Sequence, residues 1–493
     1  MHASAVARRR QLRGFVIAWL GITLLMGALT FAGIYYATGL VNNGNSGGGD
    51  DLGAIPLPLA DLDGERAAED SAPDLSNLDG TPIPTSADGQ AAAVAALPQV
   101  GAAGAARQPA TPVPSPTPRG GAAPAQPPAA GAAATVPISD DFQLGIQVQP
   151  NADPAVHRVW MGEVRDKLKL KWIKQQIRWE DVEPQPGQYD WHMLDVTLDL
   201  AAEYDILVMA SVLDTPDWAR EPGAPLSKEG PPADPQIFAN FLTQLLTRYK
   251  GKIHAVEVWN EMNIDREWAS IYGLSARNYV NLLRVARDAI KAVDPNIIVI
   301  SGALSPTGVN DGVGAYDDFV YMDMLIQAGV LDVADCVGAH HNGYNIGPNV
   351  PWNSVPNDPS AVFRGPFNNP HHSWSFYSTL NGYAQKIQQA GSDKKLCITE
   401  FGWAVSEDLG GTPQNFEFAR DNTLQEQAQY LGEAIELMQE WGFVWLAFVW
   451  NLNYGPQAGW DPTDNNVPYS LLRPEWRQSP AYDVIAAYNF REQ

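Results

Sequence analysis

Between residues 138 and 493 short apolar runs alternate with longer amphipathic ones, and this rhythm constrains the fold more than any other feature of the chain. The apolar runs fall at 142–149, 172–179, 206–213, 253–259, 297–301, 336–341, 396–399 and 444–451. Stretches with helical periodicity lie between them, among them 234–250, 275–293, 377–390 and 422–441. Ser275 and the pair Asp294-Pro295 are start and stop signals for one of these. Strict strand–helix alternation over this length predicts an α/β protein, specifically a parallel (β/α)8 TIM barrel. An open doubly wound sheet is the alternative, but no Gly-x-Gly-x-x-Gly follows the first run.

The residues before the barrel read differently. Arg8, Arg9, Arg10 and Arg13 mark a basic tail over 1–14, followed by an uncharged, largely apolar run over 15–41. That run is long enough to span a bilayer as a signal-anchor helix, and too long for the apolar part of a cleaved signal peptide. Arginine on its amino-terminal flank predicts a cytoplasmic amino terminus, hence a single-pass protein of the cell membrane with everything after residue 41 outside. Cleavage, which would give a secreted form, is the alternative. Residues 42–137 are rich in Ala, Pro, Gly, Asp and Thr, without apolar periodicity, and predict a disordered, proline-stiffened linker. Its acidic residues, such as Asp50, Asp51, Asp61 and Asp63, lack the ordered spacing of a calcium loop. The globular domain is expected at 138–493. Net charge is −24, which excludes nucleic acid as a plausible partner. Only two cysteines are present, Cys336 and Cys397, each inside an apolar run, and two buried thiols are the expectation.

Two glutamates sit in distinctive words: Glu261 in Val-Glu-Val-Trp-Asn-Glu-Met-Asn (256–263), Glu400 in Cys-Ile-Thr-Glu-Phe-Gly-Trp (397–403). Each closes a run that reads as a buried strand, where a charge is costly without a partner or a task. In a barrel, catalytic groups stand at the carboxyl ends of strands. Glu261 follows the fourth strand and Glu400 ends the seventh, so the two are expected to face each other across the mouth. One carboxyl giving a proton while another attacks is the chemistry that cleaves a glycosidic bond.

Asn260-Glu261 and Thr399-Glu400-Phe401-Gly402 resemble the strand-four and strand-seven words of the clan A, or 4/7, retaining glycoside hydrolases. Trp179-Glu180-Asp181-Val182-Glu183-Pro184 with Gly187-Gln188-Tyr189-Asp190-Trp191 resembles the segment after strand two in family 39 and family 5 members. Thr215-Pro216-Asp217-Trp218-Ala219, Phe448-Val449-Trp450-Asn451 and Ser479-Pro480-Ala481-Tyr482 extend the likeness across nearly all of 142–490. The resemblance implies that Glu261 is the acid/base and Glu400 the nucleophile of a double displacement on β-linked oligo- or polysaccharide, with no cofactor. It implies that Asn260 hydrogen-bonds the sugar 2-hydroxyl, that Trp450 floors the sugar ring, and that His340 faces substrate or the nucleophile. The usual His-x-Tyr after strand six is broken by Asn342, which leaves Tyr344 as the candidate hydrogen-bond donor to the nucleophile. Where the family tends to place arginine stands Lys174, with Arg178 further along the same face; either could supply positive charge beside Glu400.

The adjacent pairs His340-His341 and His371-His372 raise a metal reading. Neighbours on a strand point to opposite faces, and no His-x-x-x-His helix or Cys cluster accompanies them, so no metal is expected and a zinc hydrolase is disfavoured. Trp352, Trp374 and Trp460 lie in loops after strands six and eight. Trp460 is read as a sugar-stacking residue, while core packing and sugar stacking both remain open for the other two. Two further functions fit the same words: a transglycosylase with the same covalent intermediate, and a non-catalytic carbohydrate-binding barrel.

Overall fold

The structure is a computed structural model, and it describes residues 138–490. The basic tail, apolar run and linker expected over 1–137 lie outside the described residues. Among the described residues no helix is long and apolar enough to cross a membrane.

Eight strands form the sheet: β1 (Gln143–Gln147), β2 (Trp172–Arg178), β3 (Leu207–Leu213), β4 (Ala255–Val258), β5 (Ile298–Ser301), β6 (Val337–Gly343), β7 (Leu396–Trp403) and β8 (Val444–Val449). All pairings are parallel, in the order β5-β4-β3-β2-β1-β8-β7-β6. Bridges Ile300–Cys336 and Leu304–Ala339 join the two ends and close the cylinder. One principal helix follows each strand: α1 (Pro154–Gly162), α2 (His192–Glu203), α3 (Pro235–Arg248), α4 (Ala276–Val293), α5 (Asp318–Gln327), α6 (Phe376–Gln389), α7 (Leu424–Trp441) and α8 (Pro480–Ala487).

Helix ends follow local chemistry. Asp234 caps α3 ahead of Pro235, the Ser275 hydroxyl accepts from Asn278 N–H to start α4, and Thr423 with Glu426 forms a capping box on α7. Trp179 opens a short helical turn, so β2 stops at Arg178. The seventh strand differs from expectation: β7 runs on to Trp403, and Glu400 lies within it rather than at its end.

Inside the barrel, Trp172, Met209, Ile300, Leu446 and Phe448 form a buried plug. Each large side chain taken out of water there contributes roughly 1.5–3 kcal/mol. Gly145 makes room for the plug, because a Cβ there would come within 2.6 Å of the Phe448 ring. The two cysteines correct the sequence reading. Cys336 and Cys397 are joined as a disulfide, with Cα atoms 5.8 Å apart. Their burial was legible, but their pairing depends on the register of β6 against β7, which sets Gly338 opposite Cys397 and brings Cys336 within bridging distance.

Candidate active site

Glu261 reaches the mouth through an unusual backbone. Beyond β4, Trp259 (φ 75°) and Glu261 (φ 38°) both adopt left-handed conformations, uncommon for residues with side chains. Two contacts hold this turn: the Trp259 indole N–H donates to Glu267 O at 2.9 Å, and Glu261 N–H to Ala303 O at 2.9 Å. Strain at a strand end is a common mark of a functional position.

A single imidazole links the two glutamates. His340, on β6, places Nδ1 3.2 Å from Glu261 Oε1 and Nε2 3.8 Å from Glu400 Oε1. One ring thus meets both carboxyls. Lys174, on β2, puts Nζ 2.9 Å from Glu400 Oε1 and 3.8 Å from Glu257 Oε2, with all three side chains buried. Asn342 Nδ2 lies 3.4 Å from Glu400 Oε2. On the far side, Arg266 Nη2 donates to Glu261 Oε2 at 2.7 Å and Arg266 Nε lies 3.4 Å from Glu267 Oε1.

Electrostatics divide the site. Burial alone would raise the Glu261 carboxyl, but the His340 hydrogen bond and the Arg266 guanidinium outweigh it and bring its pKa down to about 2. Burial would likewise push His340 down, and the neighbouring Glu400 and Glu261 instead raise it. Both shifts favour an imidazolium facing a carboxylate. Glu267 behaves oppositely: burial dominates and lifts it to about 7. Burial also raises Asp214, although Arg178 Nε sits 2.8 Å from its Oδ2.

The structure gathers most of the predicted residues and separates others. Lys174 meets Glu400, whereas Arg178 turns to Asp214, Glu180 and Glu229. Asn260 is 5% exposed and gives its amide to Glu267 Oε2 at 3.2 Å, leaving Oδ1 without a partner. Trp450 packs on Tyr454, carries Lys174 Nζ 5.4 Å from its ring centre, and has a buried indole N–H with no partner. Buried polar atoms left without a partner suit a polar ligand. Tyr344 sits in an aromatic cluster with Phe363, Trp374 and Phe418. Among the described residues, the contacts to the Glu400 carboxylate come from Lys174, Asn342 and His340, not from Tyr344. Trp460 meets Trp476 edge to face, and Trp476 stacks on Trp160. Trp374 is buried and bonds Asn369 O, while Trp352 is exposed.

Three residues escaped sequence reasoning, Glu257, Arg266 and Glu267, and Asn342 was read only as a break in a motif rather than as a contact of Glu400. Glu257 carried a signal, since a carboxyl amid Val256 and Val258 needs a buried partner. It has Thr399 Oγ1 at 2.6 Å as well as Lys174. Arg266 and Glu267 lie in the irregular loop after β4, where no periodicity tells which side chain folds back.

No family model matches the chain. Among solved structures, a family 39 glycoside hydrolase from the gut symbiont Bacteroides cellulosilyticus is similar with a TM-score of 0.52 and 19% identity, over 72% of this chain and 65% of that one. This chain therefore spans just under two thirds of that protein's length. A monomeric β-xylosidase from Caulobacter crescentus is 17% identical over 72% of this chain and 69% of that one, with a TM-score of 0.46. Xylanase 10B from Thermotoga petrophila is 15% identical over 71% of this chain and 95% of that one, with a TM-score of 0.47. The likeness at these identities is one of fold, and it agrees with the resemblance carried by the two glutamate words: this chain has the (β/α)8 barrel found in family 39 glycoside hydrolases.

Proposed function

We propose that the protein is a retaining glycoside hydrolase acting on β-linked oligo- or polysaccharide. The observation that carries this reading is one imidazole, His340, in contact with two glutamates, the buried Glu400 from β6's neighbour β7 and the partly buried Glu261 from the turn after β4. A double displacement places its carboxyls about 5–5.5 Å apart, whereas a single displacement leaves room for an intervening water; the double displacement is the proposed course. Glu400, beside the Lys174 ammonium, attacks the anomeric carbon as the glycosidic C–O bond breaks. Glu261 passes a proton to the departing oxygen, then takes one from the water that releases the sugar from Glu400. With His340 raised and Glu261 lowered, the proton favours the imidazole before substrate arrives, so substrate must shift it toward Glu261. A leaving group entering between Glu261 and Arg266 would do so, by removing the guanidinium that keeps the carboxyl ionised. Asn260 Oδ1 and the Trp450 indole N–H are the open partners for sugar hydroxyls.

The same reading extends to location. The basic tail, the apolar run 15–41 and the linker support a membrane-tethered enzyme facing outward, and the Cys336–Cys397 disulfide suits an oxidising compartment. The test is product analysis by NMR on a panel of β-linked oligosaccharides, with membranes from intact cells as the enzyme source. A first-formed product of retained anomeric configuration is expected. An inverted product sinks the mechanism, and activity found in the cytosolic fraction sinks the topology.

A further inference from the structure

Outside the glutamate pair, two mouth loops bring ligand-type side chains together. Asp317 caps α5 with one oxygen only: Oδ1 accepts from Phe319 N–H at 2.9 Å and Val320 N–H at 3.1 Å. Its other oxygen, Oδ2, turns to the loop after β6, where His371 Nε2 lies 3.3 Å away and His372 Nε2 3.7 Å away. His372 Nε2 is also 3.1 Å from Oδ1 of the fully buried Asp318. The ligand atoms of Asp317, His371 and His372 all lie within 4.8 Å of one another.

The strand argument that set neighbouring histidines on opposite faces holds for His340 and His341, which bond Glu261 and Ser373 O respectively. It fails for the second pair, because His371 and His372 enter a 3-10 turn rather than a strand. There both rings converge on one carboxylate, with centroids 4.1 Å apart.

We infer that Asp317, His371 and His372 form a site for a divalent transition-metal cation of the zinc type, clipping the loop after β5 to the loop after β6. Tetrahedral zinc holds nitrogen and oxygen ligands at ~2.0–2.1 Å, which sets neighbouring ligand atoms roughly 3.3–3.4 Å apart. The contacts of 3.3 and 3.7 Å on Asp317 Oδ2 are close to that spacing, while Asp318 Oδ1 accepts from Thr307 N–H at 3.0 Å and orients His372 from behind. Two imidazoles and a carboxylate are a donor set that favours zinc over calcium or magnesium. Supporting contacts fix the ring poses. The His372 ring stacks on Phe319 at 3.6 Å between centroids, and His371 Nδ1 lies 2.9 Å from Ser373 Oγ and 3.3 Å from Ser373 N. Without a cation, His371 accepts at Nδ1 and donates from Nε2 to Asp317. With one, its proton moves to Nδ1 and is donated to Ser373 Oγ, the usual outer-shell arrangement of a metal-bound imidazole. His371 remains partly exposed, which gives the ion a way in. The site is structural: none of its ligands touches Glu261 or Glu400.

The test uses the full chain, purified and stripped with EDTA, then titrated with zinc chloride by calorimetry while Tm is followed. One zinc per chain is expected, with a rise in Tm of several degrees. His371→Ala and His372→Ala should each weaken binding by at least ~10-fold, and Asp317→Asn, which keeps the oxygen that caps α5, should do likewise. His192→Ala, at a histidine remote from the cluster, should bind zinc as the parent does. A parent that binds no more zinc than the His371→Ala/His372→Ala double variant overturns the inference, as does a Tm that falls equally in that variant with and without zinc, the behaviour of a hydrogen-bonded network alone. Calorimetry of the parent decides the matter even where a variant fails to fold.

Discussion

The two walls of the barrel mouth handle buried carboxyls in opposite ways. In the group that spans the barrel from β2 to β7, termed the β2–β7 wall, one ammonium, Lys174, stands between Glu257 of β4 and Glu400 of β7, and Thr399 and Asn342 supply further contacts to those carboxylates. On the β3–β4 wall, Asp214, Glu229, Glu261 and Glu267 share Arg178 and Arg266. Both walls hold two carboxyls for each of these cations, but here burial raises Asp214, Glu229 and Glu267 while Glu261 alone is lowered. Carboxyls that crowd together cannot all ionise cheaply, so protons stay on some of them. A nucleophile belongs on the first wall and proton traffic on the second, which is the division the proposed mechanism makes.

The comparison breaks most sharply at Glu400. Glu400→Gln keeps the shape of the side chain and removes the attacking oxygen's charge, so turnover should fall by several powers of ten with Tm little changed. Near-normal turnover from a folded variant would remove Glu400 from the chemistry. On the opposite wall, Glu261→Ala should cost most on substrates with poor leaving groups and far less on activated aryl glycosides. Added azide should restore turnover of the activated substrates and yield a glycosyl azide of retained configuration; failure of azide to rescue would point to a role for Glu261 other than proton transfer.

How far these walls could be read from the sequence differs for the same physical reason. Strand alternation and the rule that catalytic groups stand at strand ends pointed to Glu261 and Glu400, while the family resemblance pointed to His340 and Lys174; each of the four lies on or just beyond a strand whose apolar run is plain. The choice between Lys174 and Arg178 needed distances: both point inward on β2, and only the structure gives Glu400 to Lys174. Arg266 and Glu267 were invisible because they belong to a loop whose left-handed turn follows from tertiary contacts. Trp460 was drawn to the site by loop position and Tyr344 by the family resemblance; in the structure Tyr344 packs on Trp374 and Trp460 on Trp476. The disulfide needed the β6–β7 register.

A third test sharpens the β2–β7 wall. Lys174→Met leaves Glu257 and Glu400 buried without their shared cation. Removing one partner of a buried ion pair typically costs about 3–5 kcal/mol of stability, and losing a preorganised electrostatic partner costs roughly 10²–10³ in kcat. Both losses are expected together, read by denaturation and by kcat on one substrate. Adding Glu257→Gln to Lys174→Met should return part of the stability and none of the rate, since Glu257 is a positioning residue that meets Thr399 and Lys174. Rate returning with stability would mean that Lys174 serves the fold alone.

The smallest expected effect lies on the β3–β4 wall, in the pH dependence of stability. Glu267 is raised from 4.5 to about 7 by burial, so the folded chain holds its proton more tightly than the unfolded chain does. Stability contributed by that proton is complete below pH 4.5 and is lost as pH climbs to about 7, because the carboxyl must then ionise while buried. Glu261 has the opposite sign, contributing above pH 4.5 and losing its contribution as pH falls toward 2. Glu267→Gln substitutes a permanently neutral group that can keep the contact with Asn260. The variant should therefore lose less stability than the parent between pH 4.5 and 7, by on the order of 1–3 kcal/mol in ΔG of unfolding, with the two curves converging at the acid end. Parallel curves across that window would show that Glu267 is ionised throughout, and that the crowding of carboxyls on this wall is relieved by Arg266 rather than by protons.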